Sequence, residues 1–547
     1  MSTVIKRPVD EHPEDSALLL SFLSSFSGDV LDQLYGSVPS CITLFRSLPQ
    51  LQQLLVARLA FVAEPLPLSL ISSWLRPPLP PNFASMIRNL VDLRLLLKFS
   101  ASSTRKGASA VAEGNEADAA DDATVLLSPN FQSSLRFGMY GGGGGGGGLC
   151  GFSDVTEKVS RGTKSAKSVA ELRAYALGRW EAVLQYLALP ASSSATQQTE
   201  SSSAAAGLSQ LTKDVLKSAG FVSFGGAGGR KMAGEEQQTK KSEEEEEEDE
   251  VEITSDGFRF LLMRKSTQLW TYLIAYLRFI SERQGEPAMV ECLACLLRFS
   301  FCVSGWAYSN VGLSSALQDF LQHLRELGLL YMRKRKDGFF YATPLAAYLS
   351  AAKTGAPDLA DHGSSNPGFI VIETNYRVYA YTQSALELAI LSTFVELSYR
   401  FSNMSVGVLT RESVRRALSV GISAQQIIDY LHTHAHSEMY SRLTAAAAGS
   451  GEGEAAAVIP SSISDQIRLW EFERDRLRLQ PAVLYSNFDS EMDYKTLHNY
   501  AKRAGFLLWS RDGTKELVVD ADGHDTVKHF WKRQKHQSTG TSHSNLL

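Results

Sequence analysis

LSSALQDFLQHLRELGLLYMRKRKDGFFYATPLAAYL, from Leu313 to Leu349, holds a complete small fold in outline. Leu313, Ala316, Leu317, Phe320, Leu321, Leu324 and Leu327 recur at helical spacing and make one apolar stripe. Gly328 follows as a helix stop. LLYMRKRKDGFFYATP then reads as two short strands around Asp337-Gly338, a strong hairpin dipeptide. Helix, glycine, strand, turn and strand outline a winged helix.

The outline recurs. KSAGFVSF (Lys217–Phe224), LRELGLLYM (Leu324–Met332) and KRAGFLLW (Lys502–Trp509) each combine a helix end, a glycine and an apolar strand. Each is followed by a strand residue, a small polar residue and a short apolar helix: ITSDGFRFLL from Ile253, YATPLAAYL from Tyr341 and VVDADGHDTVKHF from Val518. LRLLLKF at Leu93, with LLSPNFQSSL at Leu126, is an N-terminal cousin. The spacing is irregular, which excludes a fixed-period solenoid. The first two copies carry insertions, Ala101–Ala123 and Gly225–Glu250, between their two strands. Loop-closure entropy grows slowly with length, so a hairpin tip tolerates them. Deleting Gly225–Glu250 is expected to leave thermal unfolding nearly unchanged; a collapse of solubility or assembly would contradict this.

The 547 residues are 44% hydrophobic and 21% charged, in keeping with several globular modules. The acidic run Glu243–Glu250 outweighs the whole formal charge of −5, so the global charge says little about partners. No apolar run approaches a membrane span. The N-terminus lacks an apolar signal core. Five scattered cysteines read as reduced intracellular thiols. Gly141–Gly148, Ala191–Gly207 and Ala445–Ala457 join the two insertions as low-complexity segments that cannot bury a core. The octaglycine lacks the lysine and Ser/Thr of a phosphate loop, so it reads as a linker.

FIVIETNYRVYAYT, Phe369–Thr382, alternates as strands do and turns at Thr374-Asn375. Leu386–Arg400 reads as an apolar helix, and Ser423 with Gln426 as a capping box for a helix over Ala424–Leu431. Ser464–Leu479 reads as a long charged helix with Glu471–Arg474, Glu473–Arg476 and Asp475–Arg478 pairs. Chemistry-bearing motifs are scarce. Cys292 and Cys295 form one C-x-x-C in apolar helical surroundings, without the four ligands zinc needs, and read as core thiols. His432, His434 and His436 read as a frayed, solvated helix end. No hydrolase or kinase motif set appears. Arg333, Lys334, Arg335 and Lys336 cap the third wing, but the adjacent helix shows Asp319 and Glu326, which phosphates would repel. That module is therefore expected to bind protein. Lys528, Lys532, Arg533 and Lys535 interleave with Phe530 and Trp531 and are the candidate nucleic-acid contacts.

Six strings, in order, resemble one family, the fifty-two-kilodalton subunit of the transcription and repair factor TFIIH. They are LYGSVPSCITLFRSLP, LQHLRELGLLYMRKRK, GFIVIETNYRVYAYT, TRESVRRALSVGISAQQIIDYLHTHAH, SDQIRLWEFERDRL and VKHFWKRQKH. The resemblance implies a non-enzymatic scaffold, without cofactor or metal, acting in the nucleus. It would hold the XPB-type DNA translocase and stimulate its ATPase in RNA polymerase II promoter opening and nucleotide excision repair. Translocase contacts then fall on Glu373, Asn375, Tyr376, Arg377, Tyr379 and Tyr381. The smallest TFIIH subunit would pair with Trp470, Phe506, Leu517, Val518 and Val519, with Leu517–Val519 as an open strand edge. Other core subunits are further partners, DNA is reached through the complex, and no membrane is involved.

The expected fold is mainly α with short β hairpins (α+β). Its parts are an N-terminal helical, winged-helix-like domain (16–140), a Gly-rich linker (141–167), a second module (168–265, with insertion 225–250) and a third (266–352). A linker (353–367), the translocase-binding unit (368–443), a linker (444–460), the C-terminal pairing domain (461–536) and a tail (537–547) complete it. Two other classes remain: a free-standing multi-winged-helix DNA-binding transcription regulator, which predicts salt-steep duplex binding by the isolated chain, and an enzyme, which predicts turnover without partners.

Overall fold

The computed structural model describes residues 13–75, 83–99, 124–140, 150–157, 159, 167–188, 208–224, 251–334, 337–349, 368–441, 458–476, 479–486, 488 and 490–540. The five low-complexity segments lie outside them. The chain is mainly helical with small antiparallel sheets, and it divides into two compact units, Met1–Arg468 and Leu469–Leu547.

Helix Lys265–Gln284 is the spine of the first unit. It buries eleven residues around most of its circumference, from Leu269 and Trp270 to Ile280, the pattern of a helix enclosed on several sides. Helices Pro13–Ser24, Gln210–Ser218 and Glu286–Phe299 pack against it. Its buried Gln268 is satisfied on both ends: the Trp180 indole donates to Oε1 (3.3 Å) and Nε2 donates to the Phe260 carbonyl (3.1 Å).

Three sheets share one strand order, in which the last strand in sequence lies between the other two. They are Leu66–Pro67, Thr124–Leu127, Leu96–Phe99; Ala307–Ser309, Phe339–Ala342, Leu330–Tyr331; and Ala482–Tyr485, Glu516–Asp520, Leu507–Arg511. Among the described residues the second copy has two strands, Val222–Phe224 and Val251–Ile253, paired across the insertion. The repeated glycine has one physical role in these copies. Gly220, Gly328 and Gly505 all take positive φ between helix and strand. In the N-terminal cousin Arg94 takes this conformation instead (φ 51°), and its guanidinium pairs with Asp32 at 3.2 Å.

The third copy departs in detail from its reading. Helix Ser315–Glu326 is capped by Ser314, as the stripe predicts. Asp337-Gly338, however, is not a two-residue turn: Leu330 pairs with Ala342 and Tyr331 with Tyr341, leaving a longer loop. Strand Ala307–Ser309 takes the other side of Phe339–Tyr341, and the Asn310 N–H donates to the Gly338 carbonyl (3.0 Å). Cys292 and Cys295 are buried on helix Glu286–Phe299, as core thiols should be. The charged helix begins at Ser461, three residues earlier than read, and ends at Asp475.

Candidate docking surface

Residues 368–441 build a four-stranded antiparallel sheet in the order Glu396–Arg400, Ser405–Val408, Arg377–Ala380, Ile370–Ile372. The hairpin read from the alternation supplies two of its four strands, Arg377–Ala380 and Ile370–Ile372. Ile370, Ile372, Val378 and Ala380 are buried on one face. On the other face, Val371, Tyr379, Val406 and Tyr399 are direct cross-strand neighbours, one from each strand. Arg377 lies opposite Val408, which lies opposite Glu396, so a charged row runs beside the apolar one.

Leu386–Arg400 is not one helix. Helix Ala385–Ser392, capped by Ser384, stops where Thr393, Phe394 and Val395 begin. Phe394 and Val395 are buried, and the Ser413 hydroxyl donates to the Phe394 carbonyl (2.8 Å). The chain then forms the edge strand Glu396–Arg400, whose five residues are all exposed. Leu397, Tyr399 and the following Phe401 are large exposed apolar side chains there, Tyr399 at 65%. Sequence reading missed this strand, although the β-branched and aromatic run TFVELSYRF carried the signal.

The opposite edge is closed. The Ile370 N–H donates to the His434 carbonyl (3.0 Å), and the His436 N–H donates to the Ile370 carbonyl (2.8 Å), a parallel bridge centred on Ala435. Phe369 and Tyr430 pack their rings against His434, and Tyr381 against His436. The histidines are therefore partly buried stitching between helix Ala424–Thr433 and the hairpin, and not a solvated frayed end. The helix itself opens with both halves of the Ser423–Gln426 capping box.

The six expected contact residues divide into four groups. Glu373 and Asn375 shape the turn: Asn375 Nδ2 donates to the Glu373 carboxylate and Asn375 Oδ1 accepts the Arg377 N–H, both at 3.0 Å. Tyr376 sits in the left-handed region (φ 67°), and its carbonyl accepts the Leu409 N–H (2.8 Å). Arg377 and Tyr379 stand on the outer face. Tyr381 lies past the strand, half exposed, beside a cavity of about 310 Å³ also lined by Glu387 and His436. Burial raises the Glu387 carboxyl above its ordinary range, while its hydrogen bond from Thr382 opposes the shift.

The sheet is fixed to the second copy. Helix Ala385–Ser392 packs on Val169–Ala188, and helix Ser255–Leu262 on Ala424–Thr433. Arg259 Nε donates to the Gly421 carbonyl at 2.6 Å.

In the C-terminal unit the expected open edge is overturned. Strand Glu516–Asp520 is central, flanked on both sides, and Leu517 and Val519 are completely buried in a core with Tyr494, Leu497 and Val527. Val518 shares that strand; Phe506 and Trp470 are half-buried. The free edges are Ala482–Tyr485 and Leu507–Arg511, exposing Leu484, Leu508 and Trp509. Lys528, Lys532 and Arg533 are exposed on helix His524–Gly540; the Lys535 side chain lies outside the described residues. Among the described residues no group of three or more His, Cys, Asp or Glu is placed to hold a metal, and no helix is long and apolar enough to cross a membrane.

Comparison with known proteins places this architecture. The family profile described as transcription factor Tfb2 matches residues 21–437, and that of the Tfb2 (p52) C-terminal domain matches 465–532. A "General transcription and DNA repair factor IIH subunit TFB2" from Yarrowia lipolytica is 30% identical over 95% of this chain and 97% of its own length. "General transcription factor IIH subunit 4" of Dictyostelium discoideum is 29% identical over 94% and 98%. The TFB2 subunit of Arabidopsis thaliana is 28% identical over 94% and 97%. These relatives are subunits of a general transcription and DNA repair factor, and their names are not those of enzymes. The chain belongs to the Tfb2 (p52) family of TFIIH subunits.

Proposed function

We propose that this chain is the non-catalytic scaffold that anchors the XPB-type DNA translocase in the TFIIH core and stimulates its ATPase. It would act in the nucleus, in RNA polymerase II promoter opening and nucleotide excision repair. The observation that carries the reading is the two-faced sheet at 368–441. One face is core, one edge is stitched shut, and the other face carries Val371, Tyr379, Val406 and Tyr399 in a row bordered by Arg377 and Glu396. An apolar centre with a charged rim is the anatomy of a protein interface. Tyrosine and arginine are the residues that anchor such interfaces. Co-purification of the translocase with the full chain tests it.

The copies with the shared strand order are proposed as winged-helix modules that dock other TFIIH core subunits. The smallest subunit is proposed to add a strand to the C-terminal sheet. Of its two free edges, Leu507–Arg511 carries a register shift between Leu507 and Trp509, whereas Ala482–Tyr485 pairs without interruption. A bulge guards an edge against pairing, so Ala482–Tyr485 is the platform. DNA contact would come through the assembled complex, with Lys528, Lys532 and Arg533 assisting. Truncating the complex before Lys528 should weaken duplex binding and lower its salt dependence by up to about one unit of slope per lost cation. Unchanged binding and slope would remove the helix from that role.

A further inference from the structure

The cavity of about 310 Å³ beside Tyr381 is walled by one acid and three rings, Glu387 with Phe369, Tyr381 and His436. It lies where the two ends of the hairpin, the start of helix Ala385–Ser392 and the segment past helix Ala424–Thr433 meet. Its size is at the lower end for ligand sites and suits one long side chain. The Tyr381 and His436 rings form one wall, their centroids 5.6 Å apart. His436 Nδ1 accepts the Glu438 N–H (3.2 Å), an arrangement open only to the neutral ring. Glu387 is the uncompensated group. The Ser384 hydroxyl accepts the Glu387 N–H (3.4 Å), but the carboxylate does not complete a capping box: the Ser384 N–H donates to the Thr382 hydroxyl (3.0 Å) instead. That hydroxyl donates to Glu387 Oε2. Among the described residues Oε1 accepts no hydrogen bond, and no lysine or arginine stands within ion-pair distance.

We propose that this cavity is a socket for an arginine side chain of a protein partner, its guanidinium stacked on the Tyr381 and His436 rings and donating to Glu387 Oε1. A half-satisfied carboxylate drawn out of water is costly until a cation joins it. Ring faces attract a cation as well. A guanidinium suits this site better than an ammonium, because it is planar, weakly hydrated and able to stack while it donates. The electrostatics agree with the geometry: desolvation raises the Glu387 carboxyl and nearby Glu181 adds to the rise, against the Thr382 hydroxyl and Lys265. The partner's identity, unlike the socket's chemistry, rests on the scaffold reading above. Tyr381 is half exposed and lies two residues beyond Tyr379 of the apolar row, so a partner covering that row can reach the socket.

The test installs a fluorotyrosine at position 381 of the full-length chain and follows its fluorine resonance as ethylguanidinium is added. The expected result is a saturable shift, weaker with butylammonium and absent with sodium acetate. In Glu387→Gln the half-saturation point should rise about tenfold. That variant keeps an acceptor for Thr382 and removes a desolvated charge, so it should melt no lower than the parent. The translocase is then added in place of the probe. It should move the same resonance, block the response to ethylguanidinium, and bind Glu387→Gln about tenfold more weakly than the parent chain. An ethylguanidinium response equal in Glu387→Gln and the parent, no saturable response at all, or a translocase that binds both chains equally would each overturn the socket. A translocase that binds neither chain is instead a failure of the scaffold reading, and the ethylguanidinium titration still decides the socket.

Discussion

A chain carrying Tyr376→Ala with Arg377→Glu is expected to lose about a thousandfold in affinity for the translocase, because interface anchors of these types are each worth roughly 2 kcal/mol. Arg377 is exposed on the outer face opposite Val408, in the row that ends at Glu396, so reversing its charge puts two acids at one rim. The fold should survive, since neither side chain enters the core. Tyr376 occupies a left-handed backbone position that costs a non-glycine residue of the order of 1 kcal/mol. Tyr376→Gly is therefore the informative companion. It removes the same ring while relieving the backbone, so it should bind weakly yet melt no lower than the parent. Retained co-purification in the double variant would remove the turn from the interface. Tyr379→Ala and Tyr399→Ala would then ask whether the apolar row alone carries binding.

The second large effect is on stability. A Cβ at Gly368 would fall inside the Ala435 carbonyl, with the His434 carbonyl also too close. Gly368→Val must push residues 434–436 off the hairpin. Two backbone hydrogen bonds then break, at about 1 kcal/mol each. The fully buried Ile370 also opens to water, so the total should reach roughly 3 kcal/mol. Gly178→Ala provides the opposite sign: nothing lies near a Cβ there, and the site is inside helix Val169–Ala188. Alanine should stabilise it by up to about 1 kcal/mol. Comparing the two melts separates a packing clash from a general intolerance of substitution. A melt for Gly368→Val equal to the parent's would refute the stitched edge.

Much of this architecture was legible because its signals are local. The stripe from Leu313 to Leu327 marked helix Ser315–Glu326, the Ser423–Gln426 pair marked the capped start of helix Ala424–Thr433, and the alternation in Phe369–Thr382 marked the hairpin. The larger failures concern partners distant in sequence. Apolar ALELAILS runs without a break into TFVELSYR, and only pairing with Ser405–Val408 turns the second half into a strand. Val518 and its neighbours read correctly as a strand, but strand order is a tertiary property, and the strand proved central. The histidines looked solvated because their partners, Phe369, Ile370 and Tyr381, lie more than fifty residues earlier in the chain. For the docking surface the same limit applied. Tyr379 and Arg377 were visible in the hairpin, whereas Val406 and Tyr399, which complete the row, join it only through the fold.

The most direct measurement is ATP hydrolysis by the cognate translocase, with and without the purified chain. Stimulation that disappears with Tyr376→Ala and Arg377→Glu, while the variant still folds, is the predicted result. Equal hydrolysis with and without a chain that binds would reduce the role to assembly. Absence of binding altogether would contradict the scaffold reading and leave duplex DNA as the ligand to test.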